Sequence, residues 1–521
     1  MANGKVASEA ERRRTFAIIS HPDAGKTTLT EKLLLYGGAI GMAGAVRAGK
    51  GAAHARSDWM EIERQRGISV TSTALRFEHR GRVMNLLDTP GHHDFSEDTY
   101  RVLSATDTAV MVIDAAKGLE PQTLKLFRVC RTRGTPIITF INKLDRPARD
   151  PLELLDEIEN EFDLQGTPIT WPVFDHGVFL GLADRRDGTF IRYIPPSEGG
   201  GEADPVPLAE ADLPSAARDK LNEDLELLGA VGADHDEETF IVGLTTPVFF
   251  GSALGDCGVR QLVEAVEDLG RPPAPWPLEG GGERALDEPF SALIFKVQAN
   301  TDPKHRDRIA FMRICSGRFE RGLTVHHEPT GKTLGLRHAH QPFGQERIPV
   351  DEAYPGDIVG LVNAAGLRPG DTVYAEHPVR FPPLPRFAPE HFALVHNRDT
   401  SRYKQFQRGM EELDQEGVVQ VLRRRGQGDQ TPVLAAVGPM QLEVAKARME
   451  GEFGAPIEIS APRSLVARET DEAGATLLIR LGVEVLERRS GELLALFRSD
   501  HHVGTIQADH PDLHLVRLLA G

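Results

Sequence analysis

A lysine and a hydroxyl group stand together at the end of a short polar loop near the start of the chain. The loop follows an apolar run at 16–19 and precedes an amphipathic stretch at 28–35. A strand, loop and helix in this order point backbone N–H groups and an ammonium at a phosphate, and a hydroxyl suits Mg²⁺. The predicted phosphate-binding loop consists of Ser20, His21, Pro22, Asp23, Ala24, Gly25, Lys26, Thr27 and Thr28.

Two features of this loop leave an alternative open. Ser20 stands where a glycine is usual, and a serine fits there if its backbone φ is not positive. A chance Gly-Lys-Thr in an ordinary turn would give the same letters, although the strand–loop–helix context argues against it.

Residues 142–145, Asn-Lys-Leu-Asp, follow the apolar run 137–141 and indicate which base is bound. The carboxylate of Asp145 can accept from both N1–H and the 2-amino group of guanine, whereas adenine offers neither donor. Two charge-assisted hydrogen bonds of about 1.5–3 kcal/mol each favour guanine by a factor on the order of 10²–10⁵. We expect Asn142 to brace the loop and Lys143 to lay its stem over the base. A common polar turn is the alternative.

A second loop after the apolar run 248–250 is expected at the same base. Ser252, Ala253 and Leu254 would line it, with the amide of Ala253 meeting the guanine carbonyl oxygen. By itself Ser-Ala-Leu is a weak signal. Its position after a further predicted strand makes coincidence with the other loops unlikely.

Two more loops predict the metal and the sensing of a terminal phosphate. The first comprises Asp88, Thr89, Pro90, Gly91 and His92, after the apolar run 83–87. Asp88 is placed to reach Mg²⁺, and Gly91 has no side chain to stop its amide turning towards a γ-phosphate. Ser69 lies in the polar, glycine-rich stretch 49–72, a predicted switch segment, and would add a second hydroxyl to the metal. On its own, Ser69 is as well explained as an ordinary loop serine.

The composition limits which partners and which cellular location we expect. The 521 residues carry a net charge of −17, which argues against indiscriminate binding to nucleic acid. The three cysteines match no metal spacing and are expected to be reduced. We find no run of about 18 apolar residues and no apolar leader, so we expect a cytoplasmic protein with no membrane partner.

The spacing of the apolar runs predicts three domains. Residues 1–277, with an insertion near 185–230 and an exposed loop at 194–214, alternate strands and helices. This predicts an α/β domain with a mostly parallel sheet and helices on both faces. Proline-rich boundaries then delimit a small β-barrel at 287–381 and an α+β domain at 386–521. Ligands of parallel sheets sit at the carboxyl ends of the strands, where all these loops fall.

With these motifs in order, the chain resembles the translational GTPases. Asp-Thr-Pro-Gly-His at 88–92 is the most diagnostic of them. Within that group the chain is most similar to the bacterial class II release factors. The similar stretches are 19–28, 57–61 with 66–69, 94–101, 305–313 and 437–443.

The resemblance implies a mechanism and a set of partners. His92 would align the water that attacks GTP, and the cofactors would be GTP or GDP with Mg²⁺. The partners would be the ribosome, through its RNA and stalk protein, and, through the ribosome, the class I release factors that the protein displaces after peptide release. We expect a monomer. His92 as a mere polar residue of a mobile loop is the alternative.

Other functions remain open at this stage. An elongation factor G-like translocase or ribosome-protection GTPase is the main rival, although those chains continue with further domains. Elongation factor Tu fits less well, since its third domain is a β-barrel. An ATP-dependent enzyme and a nucleotide-locked scaffold are weaker alternatives. The arginines 423–425, with Arg306, Arg308 and Arg313, are candidates for RNA phosphate contact, and solvated or salt-bridged surface arginines are the alternative.

Overall fold

The computed structural model describes most of the chain and divides it into three groups of elements. The described residues are 2–36, 72–91, 94, 96–198, 200–299, 308–343, 346–362, 366–384, 388–425, 431–461, 463–489 and 491–518. Among the helices in these ranges, none combines the length and apolar character needed to cross a bilayer.

The N-terminal domain is built on a seven-stranded sheet in which only the first pair of neighbours is antiparallel. Alternate residues of the strand Arg13–Ser20 enter two separate cores, Phe16 and Ile18 in one and Ala17 and Ile19 in the other. Helices therefore cover both faces, which confirms the predicted α/β class. In spatial order the strands are Thr73–His79, Arg82–Asp88, Arg13–Ser20, Thr108–Asp114, Ile137–Asn142, Thr245–Phe250 and Gln165–Pro168.

The helices of this domain connect the strands. They are Ala2–Glu11, Lys26–Tyr36, Ser96–Leu103, Pro121–Arg133, Pro151–Phe162, Ser215–Ala230, Glu237–Ile241 and Val259–Asp268.

A second sheet of five strands lies between Gln165–Pro168 and Thr245–Phe250 in the chain. It begins at Thr170, earlier than the insertion predicted near 185–230, and it includes part of the predicted loop 194–214. Its last strands are only two residues long and lie among Gly and Pro, a composition that from sequence indicates a loop. The strands are Thr170–Asp175, Val178–Asp184, Thr189–Ile194, Gly201–Glu202 and Val206–Pro207, with short 3₁₀ turns at Pro196–Glu198 and Leu208–Glu210.

The middle domain is the predicted small β-barrel. Its eight-stranded sheet encloses a core that includes Ile294, Met312 and Val359. In spatial order the strands are Thr333–Gly335, Thr324–His327, Thr372–Tyr374, Ser291–Ala299, Arg308–Ser316, Ile358–Val362, Ala339–Phe343 and Glu346–Pro349. Two short pairs accompany it: Trp276–Pro277 with Glu283–Arg284, and Phe319–Glu320 with Glu352–Ala353.

The C-terminal domain is α+β, and its two halves share one order of elements: strand, helix, two strands, helix, strand. The strands of the first half are His391–Asn397, Gln420–Arg424, Val433–Ala436 and Ile457–Ile459, and its helices are Tyr403–Glu416, preceded by the 3₁₀ turn Thr400–Arg402, and Pro439–Gly451. The strands of the second half are Val466–Thr470, Glu484–Arg488, Leu493–Phe497 and Val516–Arg517, and its helices are Glu472–Arg480 and Asp500–Asp509. The short strand Arg463–Ser464 pairs with His391–Asn397.

The two halves form one nine-stranded antiparallel sheet. The second strand of each half meets the other at the centre, where Gln420–Arg424 pairs with Glu484–Arg488. Each half then has its strands in the mirrored order two, three, one, four from the centre outwards. The sequence shows no repeat here, so the repetition is visible only in the fold.

Buried ion pairs fasten the barrel to the N-terminal domain. Arg313 is 1% exposed, and one of its guanidinium nitrogens lies 2.8 Å from both carboxylate oxygens of Asp107. The other terminal nitrogen donates to the carbonyl of Ala105 at 2.7 Å. The guanidinium also lies 4.7 Å from the ring centre of Trp276. A second pair joins Arg13 to the barrel's Asp357 at 2.8 Å.

Candidate functional site

Five loops at the carboxyl end of the seven-stranded sheet define the candidate site. They follow the strands that end at Ser20, Asp88, Asp114, Asn142 and Phe250. Because these strands are parallel neighbours, their ends lie along one edge, as the sequence predicted. The loop after Asp114 was not among the predicted ones.

The first loop places Lys26 against Asp88. The ammonium of Lys26 contacts the carboxylate of Asp88, and both side chains are buried. Lys26 begins the helix Lys26–Tyr36, so the lysine and the free N–H groups of the first helical turn lie together. A positive and polarised surface of this kind is suited to phosphate groups.

Gly25 has a backbone conformation that its position requires. Its φ is +95°, and a Cβ on this residue would lie 2.4 Å from the side-chain nitrogen of Asn142. Both observations restrict the position to glycine. Ser20, where a glycine is more usual, does not have a positive φ, as its side chain requires.

Asn142 joins three of the loops. Its side-chain nitrogen donates to the carbonyl of Ala24 at 2.8 Å, and its side-chain oxygen accepts from the amide of Ala253 at 2.9 Å. The predicted bracing role of Asn142 is thus visible in its contacts. The amide of Ala253, which the sequence assigned to a base carbonyl, is instead occupied by Asn142. Among the described residues no backbone acceptor is bonded to the amide of Leu254, the next one along this loop.

Asp145 and Lys143 are held by neighbouring loops. Asp145 accepts a hydrogen bond from the hydroxyl of Ser252, and its side chain keeps 15% of its surface exposed. Lys143 reaches across to Asp114 at 2.8 Å and also donates to the carbonyl of Asp23. With its ammonium fixed, the methylene stem of Lys143 spans the gap between the phosphate-binding loop and the strand Thr108–Asp114.

Asp114 is a site residue that the sequence reasoning missed. Burial raises the pKa of its carboxyl group, but the hydrogen bonds from Lys143 and the amide of Ala116 outweigh burial and hold the pKa below its ordinary value. Asp114 therefore stays ionised and anchors Lys143 at neutral pH. Its position at the end of an apolar strand next to two predicted site strands was the available signal.

The loop after Asp88 lies against the phosphate-binding loop. Thr89 donates to the carbonyl of Ile18 at 2.7 Å, on the neighbouring strand. A Cβ on Gly91 would lie 3.6 Å from Cα of Pro22, so the two loops are in van der Waals reach. His92 and Ser69, with all of the segment 49–71, lie outside the described residues.

The imidazole of His21 is buried beneath the loop and contacts the carboxylate of Glu120. Burial lowers the pKa of His21, and the charge of Glu120 opposes that effect. His21 is therefore a neutral ring that packs under the loop and faces away from solvent.

The donor set fits a hard divalent cation. Thr27 supplies a hydroxyl and Asp88 a carboxylate, which are the oxygen ligands that Mg²⁺ prefers. In the described part of the chain no cluster of three or more His, Cys, Asp or Glu side chains is poised as a separate metal site. This is consistent with a metal held jointly by protein oxygens and phosphate oxygens.

Most of the arginines proposed for RNA contact are used within the protein. Arg313 is buried against Asp107, so of the two alternatives left open for it the structure shows the salt-bridged arginine. Arg424 pairs with Glu484 at 3.1 Å and Arg425 with Glu472 at 2.7 Å. Arg308 donates to the carbonyl of Leu367 at 2.7 Å, Arg423 has an intramolecular partner as well, and Arg306 lies outside the described residues.

Comparison with known proteins agrees with this geometry. Residues 11–272 match the family described as the elongation factor Tu GTP binding domain, and residues 289–376 match elongation factor G domain 2. Residues 381–507 match the C-terminal domain of the class II release factor RF3. A crystal structure from Thermus thermophilus is similar with a TM-score of 0.71 and 26% identity, covering 88% of this chain and 68% of that one.

The fold and the site thus define a translational GTPase. Peptide chain release factor 3 of Cyanothece sp. is 47% identical over 98% of this chain and 96% of its own length. The protein of the same name from Gloeobacter violaceus is 47% identical over 96% of each chain. The chain belongs to the peptide chain release factor 3 family. It is a GTPase of translation termination that binds guanine nucleotides.

Proposed function

We propose that this GTPase acts on the ribosome after peptide release, promotes dissociation of the class I release factor, and hydrolyses GTP to leave. The observation that carries the proposal is the match of residues 381–507 to the class II release factor C-terminal domain, together with the match of residues 11–272 to the elongation factor Tu GTP binding domain. On this proposal it works in the cytoplasm, as a monomer, with ribosomal RNA and the stalk protein as contacts. Its working parts are the three domains 1–277, 287–381 and 386–521.

The loops divide the work of binding GTP. Lys26 and the amides of 20–28 hold the phosphates, with Gly91 turning its amide to the γ-phosphate. Asp145 accepts both guanine donors, and its fixed contact with Ser252 orients the carboxylate before the base arrives. The amide of Leu254 is the better candidate for the guanine carbonyl, because that of Ala253 is bonded to Asn142. Such pre-organisation lowers the entropy that binding must lose.

Three oxygen donors would hold Mg²⁺: the hydroxyls of Thr27 and Ser69 and the carboxylate of Asp88. A divalent cation there supplies charge neutralisation at the phosphates. Asp88 contacts the ammonium of Lys26, so the group assigned to the metal and the group assigned to the phosphates are already adjacent.

His92 would orient the attacking water in line with the leaving group. Phosphoryl transfer depends on positioning and charge neutralisation, so a neutral imidazole is sufficient for this task. His92 directly follows Gly91 in the chain, and Gly91 lies against Pro22 of the phosphate-binding loop. Hydrolysis would be slow until the ribosome brings His92 into place.

A translocase-like activity is the second candidate, favoured by the match of the middle domain to elongation factor G domain 2. The C-terminal match to the release-factor family supports the first proposal instead. Release-factor dissociation and translocation assays on the same purified protein separate the two.

The decisive experiment measures GTP turnover with empty, elongating and post-release ribosomes, each with and without a class I release factor. Stimulation specific to post-release ribosomes supports the proposal. His92→Ala is expected to abolish most of the stimulated rate, and His93→Ala, its neighbour, serves as the matched control. An unchanged kcat in His92→Ala would refute the assigned role.

A further inference from the structure

A cleft of about 290 Å³ opens in the second half of the C-terminal domain, far from the nucleotide loops in the chain. Its walls come from the domain's entry segment near Pro389, from the strands Val466–Thr470 and Val516–Arg517, and from the start of the helix Asp500–Asp509. Three arginines line it: Arg468, Arg498 and Arg517.

Two of these arginines face each other across a strand pair. Arg468 and Arg517 are direct partners in the antiparallel register, so their side chains leave the same face of the sheet. Like charges at such positions repel each other, which costs stability. A sheet that retains this pair has a positively charged face where an anion would reduce the repulsion.

Two acidic residues line the cleft, Asp500 and the exposed Glu390, so three arginine charges face two carboxylates. Arg468 donates to Asp500 at 2.5 Å, with 12% of the Arg468 side chain exposed. Within the described residues, neither Arg498 nor Arg517 forms an ion pair, and both are exposed. Several other arginines of this domain are paired, as Arg463 is with Glu484 and Arg488 with Glu469.

We propose that this cleft, the arginine cleft of Arg468, Arg498 and Arg517, binds a phosphodiester group of RNA. Guanidinium groups pair with phosphate through forked N–H donors, and oxygens of consecutive phosphates can satisfy arginines that come from different elements. Asp500 accepts from only one nitrogen of Arg468, whose other terminal nitrogen donates to the carbonyl of Ala467. The whole chain carries a net charge of −17, so most of its surface repels a polyanion. A polyanion would therefore bind where positive side chains are gathered, as they are in this cleft.

This inference rests on the proposed ribosomal function, since ribosomal RNA is the polyanion that the protein would meet. It also assigns the RNA contact to residues other than the arginines 423–425 named from the sequence. Those are held by intramolecular partners, whereas Arg498 and Arg517 are accessible.

The test compares ribosome binding of the full chain with that of the double variant Arg498→Gln/Arg517→Gln across a salt titration. Each phosphate contact contributes about 0.7–0.9 to the slope of log K against log salt. We expect the double variant to lose about one such unit and to bind several-fold more weakly at low salt. Arg480→Gln removes an exposed charge from the same domain outside the cleft and is the matched control.

A second measurement separates this proposal from the proposed function. Oligouridylate and oligoglutamate are titrated onto the isolated full chain while the arginine Nε–H signals are followed by NMR. Oligouridylate is expected to shift the signals of Arg498 and Arg517 in the wild type, with no ribosome present. An unchanged salt slope in the double variant, or a stronger response to oligoglutamate than to oligouridylate, would overturn the assignment to RNA. If the wild type fails to bind ribosomes, the proposed function is refuted. The oligouridylate titration still shows whether the arginine cleft binds RNA.

Discussion

The carboxylate of Asp94 accepts a hydrogen bond from the backbone N–H of Met440 at 2.6 Å, a contact between residues 346 positions apart. Met440 lies in the first turn of the helix Pro439–Gly451, where a negative charge is favoured by the unpaired N–H groups. Asp94 follows Gly91 by three residues. The segment that follows the loop expected to sense the γ-phosphate is therefore hydrogen-bonded to the C-terminal domain.

Removing the Asp94 carboxylate should destabilise this junction. Loss of a side-chain acceptor at a helix N-terminus lowers stability by about 0.5–2 kcal/mol. Asp94→Ala should therefore lower the free energy of unfolding by that amount. Asp94→Asn keeps an oxygen acceptor and should lose less. Urea unfolding of the full chain measures both. Asp204→Ala, an exposed position, is the control, and equal stability of Asp94→Ala and wild type would contradict the role.

Replacing Asn142 should weaken nucleotide binding without altering base preference. Asn142→Ala leaves the carbonyl of Ala24 and the amide of Ala253 without their partner. Buried groups left unsatisfied cost about 1–3 kcal/mol each, so GDP affinity should fall by tenfold or more. Calorimetry with GDP measures this loss. Asn142→Asp can still accept from Ala253, but its carboxylate faces the carbonyl oxygen of Ala24 in a buried place, so it should lose at least as much affinity. The exposed Asn222→Ala should bind as the wild type does.

Asp145→Asn should change which base is preferred. The side-chain oxygen of the asparagine can accept from N1–H of guanine. Its NH₂ group, however, would face the 2-amino group of guanine, and two donors cannot form a hydrogen bond. Xanthine carries a carbonyl there, so the variant should lose affinity for GTP by a factor on the order of 10² and gain it for the xanthine nucleotide. Competition binding measures the ratio. Ser252→Ala removes only the hydrogen bond that orients Asp145 and should cost about tenfold or less. If the variant kept its preference for GTP, Asp145 would not be the residue that recognises the base.

Breaking the Arg313–Asp107 pair should be among the most destabilising single changes in the chain. Arg313→Met leaves the buried carboxylate of Asp107 without its partner, and such losses cost about 3–5 kcal/mol. The double variant Arg313→Met/Asp107→Leu removes both charges and should recover part of that loss. Thermal unfolding followed by calorimetry compares the two. If the double variant were less stable by the sum of the single effects, the pair would not be coupled.

His235 should make the stability of the N-terminal domain depend on pH. Neither ring nitrogen has a hydrogen-bond partner among the described residues, and burial lowers the pKa of the imidazole, with the charges of Asp236 and Glu237 opposing. The unfolded chain then binds more protons, so stability is lost as pH falls through about 6.5, the unfolded value. His235→Phe should flatten this dependence in urea unfolding between pH 5 and 8.

The exposed His501→Phe is the control for that series. It should retain the slope of the wild type, because it leaves the buried ring unchanged. Parallel curves for wild type and His235→Phe would show that His235 does not titrate differently on folding.

The sequence predicted the parts of the fold that are locally encoded. Continuous apolar runs such as those at residues 109–113 and 137–141 become strands buried on both faces, and each loop motif follows such a run. Asn142 was expected to brace its loop because an amide can donate and accept at once, and it does so with Ala24 and Ala253.

What the sequence did not predict depends on distant contacts. The burial of Arg313 requires Asp107, 206 residues away, and nothing near Arg313 in the chain signals it. Strands of two residues among Gly and Pro, such as Gly201–Glu202, have no pattern that distinguishes them from a loop. The two halves of the C-terminal domain share a fold without a repeat that we could recognise in the sequence. Their cores need apolar residues at corresponding positions, but not the same apolar residues.

The mirrored order of the C-terminal strands has an evolutionary reading. A single half that paired with its own copy across its second strand would produce the same sheet, so the domain has the geometry of a fused homodimer. Because the two halves share only a strand order, each carries its own surface residues. One of them contacts the segment after the nucleotide loops through Met440, and the other carries the exposed arginines Arg498 and Arg517.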